Sequence, residues 1–229
     1  MLDVSDYHVA YGESEVLHGI DFAVGEGEIV SVLGRNGMGK STLMKSLSGL
    51  LPTRTGKAVL DGRNITHLKS HQRVAAGLGY VPQGRMIFPA LTVEENLRTG
   101  LVSTEDASLP ADIHELFPVL EEMRARRGGN LSGGQQQQLA IGRALATGPR
   151  VLLLDEPTEG IQPSIIRELA QVLKRIRDTR QLAIVVSEQV LSFALEVADR
   201  VLVLENGRLV HEATRDNVNE AQLMRFLSV

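Results

Sequence analysis

Apolar residues in the first third of the chain follow strand-like patterns and one helical pattern. Residues 16–24 alternate between apolar and polar side chains, and residues 28–33 form a short apolar run typical of a buried strand. Residues 39–50 have a helical period, and residues 56–61 have the pattern of a short strand that ends in a turn. The helical stripe consists of Leu43, Leu47 and Leu50. These patterns predict strands on both sides of one helix.

The final third returns to an alternation of strand and helix. Residues 151–154 and 182–186 are continuous apolar runs, as expected of parallel strands that are covered on both faces. Between them a helical stripe follows Pro163, a favoured residue type at a helix start. The stripe consists of Ile165, Ile166, Leu169, Val172, Leu173 and Ile176. The repetition predicts an α/β core with a mainly parallel sheet.

The middle third, about residues 93–127, has a helical pattern that Pro110 and Pro118 interrupt. We interpret it as a smaller helical insertion, and its charged run at residues 121–127 as a solvated helix face. The expected organisation is one domain over residues 1–229. Its core spans about 1–90 and 147–229, and its helical subdomain spans about 91–146.

Composition and charge narrow the class of protein. The chain has 229 residues, of which 43% are hydrophobic and 23% are charged, as in ordinary globular proteins. A net charge of −4 argues against a nucleic-acid binder that relies on overall charge. Aromatic residues are 3% of the chain, so stacking platforms for bases would be scarce. We therefore expect no nucleic-acid partner.

The sequence also indicates a compartment. It contains no cysteine, which excludes disulfides and thiolate metal sites. No apolar run approaches the ~18 residues that a membrane-spanning helix needs, and residues 1–6 lack the basic and apolar regions of a signal peptide. We therefore expect the protein to be made and kept in the cytoplasm.

Residues 34–42 match the phosphate-loop pattern, in which glycines are followed by a lysine and a hydroxyl residue. The glycines let backbone N–H groups turn toward phosphate oxygens, and the next helix adds the positive end of its dipole. Lys40 would reach the β- and γ-phosphates, and Ser41 would ligate Mg²⁺. A glycine-rich turn is the alternative, but the position between an apolar run and a helix favours a phosphate site. The expected nucleotide-binding residues are Gly34, Arg35, Asn36, Gly37, Met38, Gly39, Lys40, Ser41 and Thr42.

Two carboxylates follow the apolar run at residues 151–154. Asp155 is placed to bind Mg²⁺ through water, and Glu156 to polarise the attacking water, because phosphoryl transfer needs positioning more than covalent help. A strand that ends in two acidic residues is also common for structural reasons alone. Its combination with a phosphate loop favours the catalytic interpretation.

A third segment, Leu-Ser-Gly-Gly-Gln at residues 131–135, has the features of a second anion site. Ser132 lies where a helix cap belongs, and Gly133 and Gly134 expose the N–H groups of a starting helix, which attract phosphate. The phosphate loop already surrounds its nucleotide on one side. A second site therefore makes sense if it closes over the γ-phosphate of a nucleotide on another chain. We interpret residues 136–138, all glutamine, as the polar first turn of this helix.

With these motifs the chain resembles the ATP-binding cassette (ABC) ATPases over essentially its whole length, and residues 131–135 match their signature. The resemblance implies an α/β fold: a P-loop NTPase core with a mainly parallel sheet, an N-terminal antiparallel β subdomain and a helical insertion. It implies ATP and Mg²⁺ as cofactors, and a head-to-tail dimer with a homologous ATPase subunit or with itself. It further implies transmembrane permease subunits as partners, a solute-binding protein as an indirect partner, and a peripheral position on the cytoplasmic face of the cell membrane.

The resemblance also assigns roles to single residues. Tyr11 precedes the first hairpin, where the family stacks an aromatic ring on adenine, and the alternative is an edge-strand aromatic. Gln83 in the family contacts Mg²⁺ and the water while it senses the membrane partner, and the alternative is a solvated loop amide. The implied catalytic residues are Lys40, Gln83, Glu156 and Gln189, the implied metal ligands are Ser41, Gln83 and Asp155, and the implied second phosphate site is Ser132, Gly133, Gly134 and Gln135.

The subgroup can be narrowed by resemblance. Residues 81–97 are similar to the second ATPase of branched-chain amino-acid importers, and residues 127–138 and 155–164 are more similar to the urea-importer relative. This implies an ATP-hydrolysing subunit that energises an importer for urea. The alternative is the same role for branched-chain amino acids or short amides. Separate proteins choose the solute in such systems.

Two positions depart from the family pattern. Many members carry Asp at the place of Gln162, and most carry His at the place of Gln189, where it touches the γ-phosphate. The amide of Gln189 can donate a hydrogen bond but cannot become cationic. These departures leave open a subunit that binds nucleotide and hydrolyses it poorly, although the phosphate loop and both carboxylates are present.

Two further alternatives have less support. A cassette that acts on DNA or ribosomes usually has two phosphate loops or a long coiled coil, whereas this chain has one loop and no sustained heptads. His67 and His71 have a spacing that could clamp a metal ion on a helix, but Ser70 between them has the properties of a helix cap.

Overall fold

Two β-sheets form the framework of the structure, a computed structural model that describes residues 1–101 and 108–227. The strands are β1 (Leu2–Tyr11), β2 (Ser14–Val24), β3 (Ile29–Leu33), β4 (Thr53–Leu60), β5 (Arg63–Asn64), β6 (Leu78–Val81), β7 (Val151–Asp155), β8 (Ala183–Glu188), β9 (Arg200–Glu205) and β10 (Arg208–Thr214). The helices are α1 (Lys40–Leu47), α2 (Ser70–Ala75), α3 (Val93–Arg98), α4 (Asp112–Leu116), α5 (Pro118–Glu122), α6 (Gly133–Leu145), α7 (Pro163–Arg180), α8 (Leu191–Val197) and α9 (Glu220–Leu227). Residues 102–107, which belong to the predicted helical insertion, lie outside the described residues.

The larger sheet has the strand order β10-β9-β3-β8-β7-β6. Its neighbouring strands are parallel except for β10, which is antiparallel to β9. Every residue of β3, β7 and β8 is buried, which explains their continuous apolar runs in the sequence. The predicted α/β fold with a mainly parallel sheet is confirmed.

This sheet separates two hydrophobic cores. Leu152 and Leu154 of β7 belong to a core that includes the buried sides of α6, α7 and α8. Val151 and Leu153 of the same strand belong to a second core, with α1 and the smaller sheet. Alternate side chains of one strand thus enter different cores. Packing on both faces therefore fixes the strands whose carboxyl ends carry the predicted site.

The smaller sheet is antiparallel, with the order β2-β1-β4-β5. Its first strand was not evident in the sequence pattern. The pairing of β1 with β2 shifts register three times between Val4 and Ala10, and Asp6 within this stretch has a φ of +46°. Such irregularities break the period-2 alternation by which a strand is found in a sequence.

Helix α1 is shorter than predicted and is closed by a Schellman motif. The N–H of Leu50 donates to the carbonyl oxygen of Lys45 (2.9 Å), and the N–H of Gly49 donates to that of Ser46 (3.0 Å). Gly49 has a φ of +80°, a conformation that favours glycine. The chain therefore leaves the helix direction before Leu50, whose side chain is 63% exposed. The prediction that Leu50 shares one helical stripe with Leu43 and Leu47 was wrong.

The charged run at residues 121–127 is largely exposed, as predicted, but it is not one helix face. Helix α5 ends at Glu122. Beyond it, the carbonyl oxygens of Arg124 and Arg126 accept the N–H groups of Glu94 (3.0 Å) and Val93 (2.9 Å). These hydrogen bonds to the start of α3 hold the segment in a non-helical conformation, which a charge pattern cannot reveal.

Arg73 of α2 is a buried cation, 2% exposed, that is surrounded by backbone carbonyl groups. Its guanidinium donates to the carbonyl oxygens of Ser46 and Leu47 at the end of α1, both at 2.7 Å. It also donates to those of Thr66 (2.6 Å) and Leu68 (3.0 Å). The last carbonyl groups of a helix carry the negative end of its dipole and favour a cation. Arg73 thereby ties the end of α1 to the segment that enters α2.

We predict that Arg73→Met lowers the free energy of unfolding by about 3 kcal/mol or more, because each buried carbonyl group without a donor costs about 1–3 kcal/mol. Urea denaturation followed by circular dichroism measures this loss. His71→Ala is the matched control, since His71 is exposed on the same helix, and it should change the free energy by less than about 0.5 kcal/mol. A loss for Arg73→Met as small as that of the control would contradict the role given to the guanidinium.

Candidate functional site

Loops at the carboxyl end of the parallel sheet surround a cleft of about 340 Å³. Adjacent parallel strands bring their carboxyl ends to the same edge of a sheet, so the loops after β3, β7 and β8 meet there. The cleft is lined by Val16, Asn36, Gly37, Gly39, Lys40, Ser41, Thr42, Gln83, Glu156, Glu159 and Gln189. The structure thus brings the phosphate loop together with Gln83, Glu156 and Gln189, which come from distant parts of the sequence.

The phosphate loop joins β3 to α1, and Gly39 is the N-cap residue of the helix. Lys40 is 3% exposed, and its ammonium group donates to the carbonyl oxygens of Gly34 (2.8 Å) and Arg35 (3.1 Å). The carbonyl oxygen of Met38 accepts an N–H from the turn between β9 and β10 (3.1 Å). The loop is therefore anchored to the sheet, with the lysine folded over its interior.

Glu156 lies between the phosphate loop and Gln83. Its Oε1 is 3.1 Å from the Nζ of Lys40, and its Oε2 accepts a hydrogen bond from the Nε2 of Gln83 (3.1 Å). The N–H of Glu156 lies within reach of both the carbonyl oxygen (3.0 Å) and the Oγ (3.2 Å) of Ser187. Glu156 also has a φ of +47°, which costs about 1–3 kcal/mol for a residue other than glycine. A buried carboxylate thus takes the position beside Lys40 where the phosphate-loop pattern places an anion.

Asp155 is a buried carboxylate at the end of β7. Its Oδ1 accepts hydrogen bonds from the hydroxyl groups of Ser187 (2.6 Å) and Ser41 (3.1 Å), and its Oδ2 lies 3.5 Å from the hydroxyl of Tyr80. Burial, together with the charge of Asp155, raises the pKa of Tyr80, so the phenol stays neutral and remains a donor. A hydroxyl beside a carboxylate is a pair of hard oxygen groups, the type of ligand that Mg²⁺ prefers.

The segment at residues 131–135 leads into α6, and none of its residues lines the cleft. Ser132 is the N-cap: its Oγ accepts the N–H of Gln135 (3.3 Å), and the Oε1 of Gln135 accepts the N–H of Ser132 (2.9 Å). This reciprocal pair is a capping box, and the predicted cap is confirmed. A Cβ at Gly134 would lie 2.6 Å from the side chain of Ile165, so only glycine lets α6 approach α7 this closely. Gly133 beside it is partly exposed.

The glutamines after this segment are more than a polar first turn. The Nε2 of Gln136 donates to the carbonyl oxygens of Gly128 and Leu131, both at 3.3 Å. Gln137 is 4% exposed. The interpretation of these residues as only a polar first turn was incomplete, because α6 packs into the protein from its first turn and some of these amides point inward.

Arg85 connects three segments around the site and was missed in the sequence. Its Nη2 donates to the carbonyl oxygens of Glu159 (2.8 Å) and Gly160 (3.3 Å), and its Nη1 lies 3.5 Å from the Oε1 of Gln136. It thereby links the loop after Gln83 to the loop after Glu156 and to α6. Backbone carbonyl groups carry no residue-type signal, so no sequence pattern indicated this link.

Ser187 and Glu188, at the end of β8, were also missed. Ser187 holds both Asp155 and Glu156 through the hydrogen bonds described above, and Glu188 is 1% exposed. A signal for them exists in the sequence, since two polar residues directly follow the apolar run at 182–186. Polar residues at that end of a parallel strand point to the site edge of the sheet.

Other predicted residues lie at the periphery of the cleft or elsewhere. Tyr11 ends β1 with its side chain 49% exposed, and it does not line the cleft. Gln162 is the exposed N-cap residue of α7, and its side chain makes no capping hydrogen bond. The structure therefore leaves both side chains facing solvent.

His67 and His71 are both exposed. The N-cap of α2 is Lys69, whose N–H donates to the Oε1 of Gln72 (2.9 Å), so the prediction of Ser70 as the cap was wrong by one residue. Within residues 1–101 and 108–227, no group of three or more histidine, aspartate or glutamate side chains is arranged to hold a metal ion. A histidine metal site has no support in this part of the chain.

Known proteins are similar to this chain in sequence and in fold. The ABC transporter family model matches residues 17–159. The high-affinity branched-chain amino acid transport ATP-binding protein BraG of Pseudomonas aeruginosa is 40% identical over 93% of each chain. The probable branched-chain amino acid transport ATP-binding protein LivF of Archaeoglobus fulgidus is 35% identical over 96% of this chain and 94% of its own. A dimeric ATP-binding cassette in a post-hydrolysis state, bound to ADP and Pi, has a TM-score of 0.83 at 25% identity, over 94% of this chain and 99% of that one.

The family match therefore includes the phosphate loop, the segment at residues 131–135 and the carboxylates of Asp155 and Glu156. The relatives extend the match to nearly the whole chain. On these grounds the chain belongs to the ABC transporter family, as an ATP-binding and ATP-hydrolysing subunit.

Proposed function

We propose that the chain energises the import of a small solute by hydrolysing ATP in the cleft at the carboxyl end of the sheet. The observation that carries this proposal is the meeting of Lys40, Gln83 and Glu156 in contacts of 3.1 Å, although they come from three separate segments. Phosphoryl transfer depends on positioned charges and donors more than on covalent chemistry. A lysine, an amide and a carboxylate around one cavity supply these groups.

Lys40 and Glu156 exchange partners when ATP binds. The ammonium group that now faces the carboxylate would turn to the β- and γ-phosphates, whose greater negative charge attracts it more strongly. Glu156 would then be free to accept a hydrogen bond from the attacking water and to orient it. Gln83 is already bonded to Glu156 and is placed to contact the same water.

Ser41, Asp155 and Gln83 would hold Mg²⁺ beside the phosphates. The hydroxyl of Ser41 and the carboxylate of Asp155 are 3.1 Å apart, and they offer oxygen ligands of the kind that this ion prefers. Bound Mg²⁺ neutralises charge on the β- and γ-phosphates. Ser187 keeps the Asp155 carboxylate oriented by donating to it at 2.6 Å.

Gln189 would donate its amide to the γ-phosphate, since it lines the cleft with Glu156. A neutral donor there is worth about half of a charge-assisted one. This leaves a weakly hydrolysing subunit as the alternative. Tyr11, whose ring is half exposed, would stack on the adenine.

The N-terminus of α6 would complete the nucleotide site of a partner. Ser132 is exposed, and residues 131–135 do not line the cleft of their own chain. The positive end of the α6 dipole suits a phosphate brought by a second cassette. The partner would be a homologous ATPase subunit or a second copy of this chain, in a head-to-tail dimer. The loop that carries Gln162 would cross the interface of this dimer.

A permease would dock at an apolar groove of about 260 Å³ away from Lys40. The groove lies between the proposed core, about residues 1–90 and 147–229, and the proposed helical subdomain, about 91–146. Leu50 and Val74 line one wall and are exposed, and Arg143 lines the other.

In the described part of the chain, no helix is long and apolar enough to cross a membrane. The proposed location is the cytoplasmic face of the cell membrane, beneath a permease that receives solute from a binding protein.

Urea is the proposed solute, on the resemblance of residues 127–138 and 155–164 to the urea-importer relative. Branched-chain amino acids are the second candidate, because relatives at 40% and 35% identity are named for their transport. Short amides share the carbonyl and amide groups of urea and fall under the same alternative. The choice depends on the partners, since none of the residues that line the cleft would contact the solute.

The first prediction tests Glu156. Glu156→Gln should lower turnover by about 100-fold or more, since it removes the group that holds the water. It should leave ATP affinity equal or higher, because Lys40 loses its competing carboxylate. Steady-state hydrolysis by the assembled transporter and binding of a fluorescent ATP analogue to the chain measure the two effects.

Glu159→Gln is the matched control, since it removes the same charge from the rim of the same cleft. Its turnover should stay within about threefold of the parent. If Glu156→Gln hydrolysed ATP at the parental rate, the assignment of Glu156 as the group that orients the attacking water would be wrong.

The second prediction tests the partner site. Ser132→Arg, made in the Glu156→Gln background to prevent hydrolysis, should abolish ATP-dependent dimerisation and leave ATP binding to the chain within about twofold. Light scattering and fluorescent-ATP binding, measured side by side, separate these effects. Ser132→Ala loses the same helix cap, worth about 1 kcal/mol, without added bulk, and should still dimerise. Weaker ATP binding combined with normal dimerisation of the bound fraction would show that the segment does not act in trans.

The third prediction tests the solute. The chain, its partner cassette, its permease and its binding protein, reconstituted in vesicles, should take up labelled urea with ATP, and the Glu156→Gln transporter should not. Labelled leucine and acetamide are measured in the same vesicles. Uptake of leucine alone would replace urea by branched-chain amino acids, and ATP hydrolysis that no solute stimulates would contradict the importer role.

A further inference from the structure

Glu188 is a buried carboxylate that the proposed reaction does not use. It is the last residue of β8, it is 1% exposed, and it directly precedes Gln189. A charge taken out of water needs compensating hydrogen bonds, because desolvation costs several kcal/mol. The groups that supply them show what this carboxylate holds.

Four hydrogen bonds to the carboxylate of Glu188 come from two loops of the cleft. Its Oε2 accepts the N–H groups of Gln189 (2.8 Å) and Val190 (2.9 Å). Its Oε1 accepts the hydroxyl group and, at 3.4 Å, the N–H of Thr158. All four donors are neutral, and three of them are backbone groups. The carboxylate therefore fixes backbone positions in the loop after β7 and in the loop after β8.

The backbone of Glu188 adds a link to the phosphate loop. Its carbonyl oxygen accepts the N–H of Gly34 (3.3 Å), the first residue of that loop. Leu33 and Glu188 are paired in the register of β3 and β8. One residue thus contacts the phosphate loop, the loop that follows Glu156 and the loop that carries Gln189.

We propose that Glu188 is a positioning residue for hydrolysis, which aims the side chain of Gln189 at the γ-phosphate by fixing the backbone N–H groups of residues 189 and 190. The proposal rests on the proposed role of Gln189 as a γ-phosphate donor. A neutral amide acts through one directional hydrogen bond, which weakens steeply with misalignment. Its backbone must therefore be held rigidly.

Thr158 contributes to the same positioning of Gln189 through its contact with Glu188. Its hydroxyl joins the loop after Glu156 to the Glu188 carboxylate, and its side chain is 6% exposed. Loss of this hydroxyl leaves the bonds to residues 189 and 190 in place but removes a tie that holds the carboxylate still. Thr158→Val should therefore have a smaller effect of the same kind.

The experiment is a double-mutant cycle between Glu188 and Gln189 in the assembled transporter. Glu188→Gln keeps the size of the side chain but replaces one accepting oxygen by a donating amide group. We expect kcat to fall about tenfold in Glu188→Gln and in Gln189→Ala, with the KM for ATP within about threefold of the parent in both. The double variant should be no slower than Gln189→Ala alone, because no side chain is left to aim.

Thr158→Val and Thr158→Ser give an independent pair. The serine variant keeps the hydroxyl and should turn over at the parental rate, whereas the valine variant should lose about threefold in kcat and nothing further in the Gln189→Ala background. Glu196→Gln on α8 is the charge control and should match the parent in kcat and KM. If Glu188→Gln does not fold, the Thr158 pair carries the same cycle.

The outcomes separate this inference from the role of Gln189. Parental turnover by Gln189→Ala would overturn both. If Gln189→Ala lowered turnover while Glu188→Gln and Thr158→Val kept the parental turnover, Gln189 would remain the donor to the γ-phosphate. The positioning role of Glu188 would then be overturned. Glu188→Gln could lower kcat by the same factor in the parent and in the Gln189→Ala background, or it could change only the KM for ATP. Either result would show that Glu188 acts on another part of the cleft and would overturn its positioning role.

Discussion

Parallel pairing of β3, β8 and β7 is the constraint on which the site depends. Register places Leu33 beside Glu188 and Asp155 beside Ser187, so the phosphate loop, the two carboxylates and Gln189 emerge at one edge. Both faces of this sheet are buried in separate cores, which prevents a slip of one strand without the loss of packing on both faces. The edge can therefore hold close contacts between residues more than 100 positions apart in sequence.

Three buried carboxylates lie at this edge of the sheet, and each is held by a different set of donors. Asp155 is held by hydroxyl groups, Glu156 by an ammonium group and an amide, and Glu188 by backbone N–H groups and one hydroxyl. Burial makes each charge costly without donors, and the type of donor decides what can happen next. In the proposed mechanism, Asp155 would bind a cation beside its hydroxyl donors, and the ammonium group of Lys40 would leave Glu156 for the phosphates. The backbone donors make Glu188 a fixed point.

The site also extends beyond the cleft through arginines. Arg85 joins the loop after Gln83 to the loop after Glu156, and Arg143 of α6 donates to the carbonyl oxygen of Met86 (2.8 Å) while its guanidinium lies over the ring of Phe88. Met86 and Phe88 are exposed. The same loop that carries Gln83 is thus tied to α6 and presents apolar side chains on the surface.

The sequence by itself predicted the strands β2, β3, β4, β7 and β8, the helices α1 and α7 and the motifs, because each depends on local periodicity or on spacing within one segment. It gave the phosphate loop, Asp155 and Glu156 with the strands before them, the cap at Ser132 and the start of α7 at Pro163. It failed where a distant contact overrode the local pattern: the irregular β1, the early end of α1 near Arg73, and the non-helical residues 123–127. Only the tertiary structure decided that Glu156 pairs with Lys40 and Gln83, that Arg85 reaches Glu159, and that Glu188 holds Thr158 and the backbone beside Gln189. Some of these contacts use backbone atoms, which are the same for every residue type. The others join side chains from distant segments across the sheet edge, so no spacing in the sequence encodes them.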